Sequence, residues 1–154
     1  MSKPEYVYVT AIAAPPESVW KALTTAEFTR QYWHKSRVES DFRVGSPIRY
    51  YIGDGEVALE GEILAAERPK KLSYTWTFPM NPAQKNEPPS RVTFLIEAIE
   101  QGTKLTVLHD RFEEGSEIFK QISNGWPLVI AGLKTLLEGG APVDFTTSAK
   151  GEKK

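Results

Sequence analysis

Two histidines, twenty carboxylates and no cysteine bound the chemistry open to this 154-residue chain. Without cysteine there is no thiolate nucleophile, no disulfide and no thiolate-held metal. His34 and His109 lie far apart with no HExxH spacing, a weak basis for a metal, and neither a metal nor a cofactor is assigned. His109 ends the segment "TKLTVLHD" on the parity of Leu105 and Val107, so its ring is expected on the interior face. Two uses fit that position: a polar handle for a ligand, since imidazole titrates near neutral pH, or a hydrogen-bonded strand-end histidine. His34, beside Lys35, reads as an exposed helix-end residue. Asp110 follows His109 but points to the opposite face, so the two do not form a dyad. Glu60, Glu62 and Glu97 fall on the polar parity of their strands, and Glu113, Glu114 and Glu117 precede the last helix, all where solvated charges belong. There is no GxSxG, no P-loop and no dinucleotide fingerprint. The expectation is a protein that is not an enzyme.

The stronger signal is aromatic. Tyr50, Tyr74, Trp76, Phe78, Phe94 and Trp126, with His109, form the candidate ligand-binding set. Small-molecule sites are mostly apolar, with a few polar groups that fix orientation. The same rings also suit a filled core, so an open cavity and a packed interior both remain open at this point.

The elements that must carry these rings are legible in the spacing. In "KLSYTWTF", Leu72, Tyr74 and Trp76 share one parity, with Ser73 and Thr75 on the other. "RVTFLIEA" puts Val92, Phe94 and Ile96 inside and Thr93 outside, and similar alternation runs through Ile48–Ile52 and Val57–Ile63. "GDG" at 53–55, "RPKK" at 68–71 and "EQG" at 100–102 read as turns, and residues 79–90, with four prolines, as a longer loop able to act as a lid. Short connections make the strands antiparallel neighbours. "EYVYVTAI" adds a strand near the start, followed by two short helices carrying Val19, Trp20 and Leu23, then Phe28, Tyr32 and Trp33. Thr24 with Glu27 suggests a capping box for the second helix.

The last helix is read over residues 124–140, with Pro127 in its first turn and Gly139 and Gly140 as the stop. Trp126, Val129, Ile130, Leu133, Leu136 and Leu137 make its apolar stripe, with Lys134, Thr135 and Glu138 opposite. Only the dry face of the sheet can receive such a stripe. The fold class that follows is α+β: a curved antiparallel sheet of six to seven strands wrapped on a long C-terminal helix, the helix-grip arrangement. One domain is expected over 1–140, with a disordered tail over 141–154.

Composition narrows the partners. A formal charge of −1 gives no electrostatic reason to expect nucleic acid. No apolar run spans a bilayer and the N-terminus lacks a signal-peptide layout, so no membrane insertion and a cytoplasmic location are expected.

Five stretches together resemble a family: "APPESVWKALT", "FRVG" at 42–45, "GEILAAERPKKLSYTW" at 61–76, "SRVTFLIEA" at 90–98 and "GWPLVIAGLKTLLEGG". They are similar to the SRPBCC superfamily, and within it to the branch related to the C-terminal domain of the activator of heat-shock protein ATPase. The resemblance implies the helix-grip fold of START lipid-transfer domains and the birch-pollen allergen. It also implies a cavity between helix and sheet for an apolar or amphipathic small molecule, in a monomer or homodimer. The branch has no shared catalytic motif to transfer, and a cyclase or hydrolase activity follows only from the breadth of the superfamily. A protein-interaction module of co-chaperone type, with a chaperone as partner, is the alternative. The co-chaperone's separate N-terminal domain has no counterpart in these residues.

Overall fold

The computed structural model describes residues 3–139, so the expected tail at 141–154 lies outside the described residues. The elements are β1 (Tyr6–Ile12), α1 (Pro16–Thr24), α2 (Ala26–Tyr32), β2 (Arg37–Ser40), β3 (Pro47–Ile52), β4 (Glu56–Glu67), β5 (Lys71–Trp76), β6 (Ser90–Ile99), β7 (Gly102–Asp110) and α3 (Glu117–Leu137). A short 3-10 turn, Pro82–Asn86, sits in the loop between β5 and β6. All seven strands form one antiparallel sheet in the order β1-β7-β6-β5-β4-β3-β2. Hairpins generate most of that order, and the long α1–α2 excursion carries the chain from one edge of the sheet to the other. Register shifts at Tyr50/Tyr51 and between Ile63 and Ala65 mark irregularities of the kind that bend a sheet.

The period-two expectation holds on the inner face. Leu72, Tyr74, Val92 and Phe94 are wholly buried, and Trp76 and Ile96 nearly so. The outer face departs from it at one place: Ser73 and Thr93 are also buried. They stand directly opposite each other, and their hydroxyls are 2.9 Å apart. Leu95 and Leu108 stand beside Thr93 on the same face and are taller.

The last helix begins earlier than the sequence suggests. α3 starts at Glu117, and Pro127 lies in its interior rather than in its first turn. The true start is built from side-chain acceptors. Ser116 Oγ accepts from the Phe119 N–H at 2.9 Å, and Glu87 Oε2 accepts from the Glu117 and Ile118 N–H groups at 2.8 and 3.3 Å. Those donors have no partner within a helix, so the carboxylate completes the end. Pro127 costs the Ser123 carbonyl its helical donor. Gly139 ends the helix at φ +92°, as expected.

The buried stripe is longer than expected, running Ile118, Ile122, Trp126, Val129, Ile130 and Leu133. Lys134 and Glu138 do not simply face solvent. Lys134 Nζ donates to the Ala11 carbonyl at 2.6 Å and to Glu138 Oε2 at 2.7 Å, and the Ala13 N–H donates to the same carboxylate oxygen. A cation near the helix C-terminus and a carboxylate beyond it thus tether α3 to β1. The Thr24–Glu27 capping box does not form: Thr25 is the N-cap of α2 without a side-chain bond, and Thr24 Oγ1 donates back to the Trp20 carbonyl.

Candidate functional site

Between α3, the sheet and the end of α2 lies a cavity of about 340 Å³. Its aromatic wall comes from four separate elements: Trp33 after α2, Tyr50 on β3, Trp76 on β5 and Trp126 on α3. Trp33 lies 4.8 Å from Tyr50, 5.4 Å from Trp126 and 6.1 Å from Trp76, centroid to centroid. Phe78 meets Trp76 edge-on at 5.5 Å. Leu59, Ile122 and Val129 fill out the apolar lining.

Trp33 reaches this position through an irregular turn. His34 and Lys35 take positive φ, 51° and 59°, which reverses the chain after α2. Two buried hydroxyls satisfy the turn. Ser36 Oγ donates to the Trp33 carbonyl at 2.6 Å, while Thr29 Oγ1 donates to the Ser36 carbonyl at 2.9 Å and accepts from the Val38 N–H.

The structure therefore gathers four of the seven expected residues, Tyr50, Trp76, Phe78 and Trp126, around one cavity. Tyr74, Phe94 and His109 stand behind that wall. Tyr74 stacks on Trp76 at 6.3 Å, and Phe94 meets Trp126 edge-on at 5.7 Å. His109 is fully buried, and both its ring nitrogens are engaged. Trp126 Nε1 is 3.0 Å from Nδ1, and Ser90 Oγ is 2.9 Å from Nε2. Indole N–H only donates, so Nδ1 is the acceptor and the single proton of the neutral ring sits on Nε2, pointing at Ser90. Burial pushes the imidazole pKa down to about 3, which keeps it neutral. Of the two uses the spacing allows, this geometry is the hydrogen-bonded one: His109 holds Trp126 in place from behind.

Trp33 is the ring that sequence reasoning leaves out of the site, although it reads there as a helix residue. The usable signal was its place next to the His34-Lys35 break. His34 is exposed at the helix end, as expected, and also borders the cavity.

Polar groups in the lining are few. At the rim Asn81 Nδ2 donates to Gln121 Oε1 at 2.6 Å, joining the β5–β6 loop to α3. At the wall the Tyr50 and Tyr74 hydroxyls are 2.6 Å apart, and burial holds both well above the usual phenol range. Trp76 Nε1 is buried with no hydrogen-bond partner among the described residues. Among the described residues no Asp, Glu, Lys or Arg lines the cavity. Asp110 faces away from His109 and is held by Arg91 through two contacts at 2.9 and 2.6 Å. Among the described residues no cluster of His, Asp and Glu could hold a metal ion.

No curated protein matches the chain. Among solved structures, a protein from Mesorhizobium loti is 30% identical with a TM-score of 0.75, over 88% of this chain and 97% of that one. The Aha1 dimer from Colwellia psychrerythraea gives 0.71 at 20% identity, over 89% and 98% of the two chains. An HSP90 activator from Plasmodium falciparum gives 0.70 at 21%, over 86% and 95%. The last two likenesses speak to the fold alone. A family model described as Activator of Hsp90 ATPase homolog 1-like protein matches residues 13–138, which take in every strand but β1 and the whole of α3. With that match and the helix-grip fold both in hand, the chain belongs to the activator of Hsp90 ATPase homolog 1-like family.

Proposed function

We propose that this protein binds an apolar or amphipathic small molecule, lipid-like or aromatic, between α3 and the sheet, and does not transform it. The observation that carries the reading is the cavity of about 340 Å³ walled by Trp33, Tyr50, Trp76 and Trp126. That volume lies within the range of small-molecule sites, and rings gathered from four elements supply contact area at low entropic cost. Tyr50, Trp76, Phe78 and Trp126 would touch the ligand, with Tyr74, Phe94 and His109 holding them in place. The absence of Asp, Glu, Lys and Arg from the lining, among the described residues, supports a binding role over acid–base chemistry. The proposal takes the protein to be cytoplasmic, as a monomer or homodimer. Among the described residues no helix is long and apolar enough to cross a membrane.

A second reading has its own support. The family match favours a co-chaperone-type module acting through its surface on a chaperone. Native mass spectrometry of gently purified protein separates the two. A co-purified molecule appears as added mass, and its removal lowers the melting temperature, because only the folded chain has the site. Unliganded protein that melts unchanged across a broad lipid and metabolite panel would transfer the weight to the co-chaperone reading.

A further inference from the structure

One residue of the cavity lining has no side chain. α3 contributes Gln121, Ile122, Gly125, Trp126 and Val129, which share a single helix face. Gln121, Gly125 and Val129 follow one another at four-residue steps, so the glycine is a gap in the middle of a row. It is half-buried, between Gln121 at the rim and the buried Val129. Neither backbone nor packing requires a glycine there. Gly125 lies inside the helix and is not at positive φ. A methyl group in its place would meet no atom within 4 Å beyond the adjoining residues and the helix's own backbone, so the Pro127 ring does not crowd it. Gly61 and Gly102 make the contrast. A methyl group on them would collide with the Thr75 and Ile12 carbonyl oxygens, and close backbone approach dictates both. A glycine inside a helix weakens it relative to alanine. α3 thus gives up stability at a point of its cavity face where no protein atom uses the space.

Resting on the ligand-binding reading above, we infer that Gly125 is the specificity-determining position of the cavity. The guest lies against the bare backbone of α3 there, and the missing side chain admits a bulky multi-ring aromatic compound that a side chain at 125 would shut out. The rest of the lining suits that class. Trp33, Tyr50, Trp76 and Trp126 offer broad apolar faces from four elements. A small guest touching only those rings would leave the space before Gly125 empty, and atoms facing a void forfeit their contacts. A guest wide enough to span from the rings to the helix backbone makes both sets of contacts.

Equilibrium dialysis of naphthalene and of the three-ring, uncharged N-phenyl-1-naphthylamine against the wild type, Gly125→Ala and Gly125→Leu tests the assignment. Affinity for the three-ring compound should fall about threefold in the alanine variant and about tenfold or more in the leucine variant. Naphthalene should bind all three proteins within about twofold. Gly125→Ala should melt about 2–4 °C above the wild type, because the fold has no use for the glycine. If the leucine variant does not fold, the alanine variant decides by the same two readings. The assignment is overturned, and the cavity reading stands, if the two compounds weaken alike, if neither weakens, or if the alanine variant does not melt higher while the wild type binds. If the wild type retains neither compound, both are overturned.

Discussion

At His109, a proton cannot be added without breaking a bond, because a proton on Nδ1 would face the Trp126 indole N–H at 3.0 Å. The ring is also too deeply buried to hold a charge cheaply, and its pKa falls to about 3. An unfolded imidazole titrates near 6.5, so between about 6.5 and 3 the unfolded chain binds a proton that the folded chain refuses. Stability from this residue is therefore complete above about pH 6.5 and is lost as the pH falls toward 3. Denaturant melts between pH 6.5 and 5 should show the wild type losing about 1 kcal/mol per pH unit more than His109→Gln, which keeps hydrogen-bonding atoms but does not titrate. Parallel slopes would mean that His109 is protonated in the fold. Strand parity made the inward direction of this ring legible in the sequence. Its partners were not, because Ser90 and Trp126 arrive from β6 and α3 and no local pattern joins three elements.

α3 is an element whose two ends are held by other parts of the chain. Leu133 is fully buried on its inner face, and Ala131 is exposed. Leu133→Ala should cost about 2–5 kcal/mol, while Ala131→Ser should stay within about 0.5 kcal/mol. Lys134→Ala should fall between them, at about 1 kcal/mol, since it breaks the tether to the Ala11 carbonyl and to Glu138. Urea melts of the three variants check the order, and equal losses for Ala131→Ser and Lys134→Ala would show that the tether contributes nothing. The apolar spacing that identifies this helix was legible from Trp126 onward. Its first turns were not, because a proline is most at home in a first turn, and here it sits ten residues further in. The signal that decides the start, Glu87 against the Glu117 and Ile118 N–H groups, comes from a loop some thirty residues upstream.

On the scale of the whole molecule, the sheet order was within reach of the sequence because hairpins with short turns set most of it. β2 was not, being four residues long and at the edge. The cavity was legible as a set of rings and not as a space: Trp33, Tyr50, Trp76 and Trp126 meet only when an irregular turn, two strands and a helix are assembled. That assembly puts contact area on the wall and the Asn81–Gln121 hydrogen bond at the rim. Under the ligand-binding reading, how tightly a guest is held and how quickly it comes and goes are then properties of different residues. Gln121→Ala should raise the association and dissociation rate constants together by several-fold and leave the equilibrium constant within about twofold, as stopped-flow mixing with any bound guest would reveal. A change in the equilibrium constant alone would place the rim among the binding contacts. On that reading residence time belongs to one amide pair at the doorway, and could be tuned without touching the room behind it.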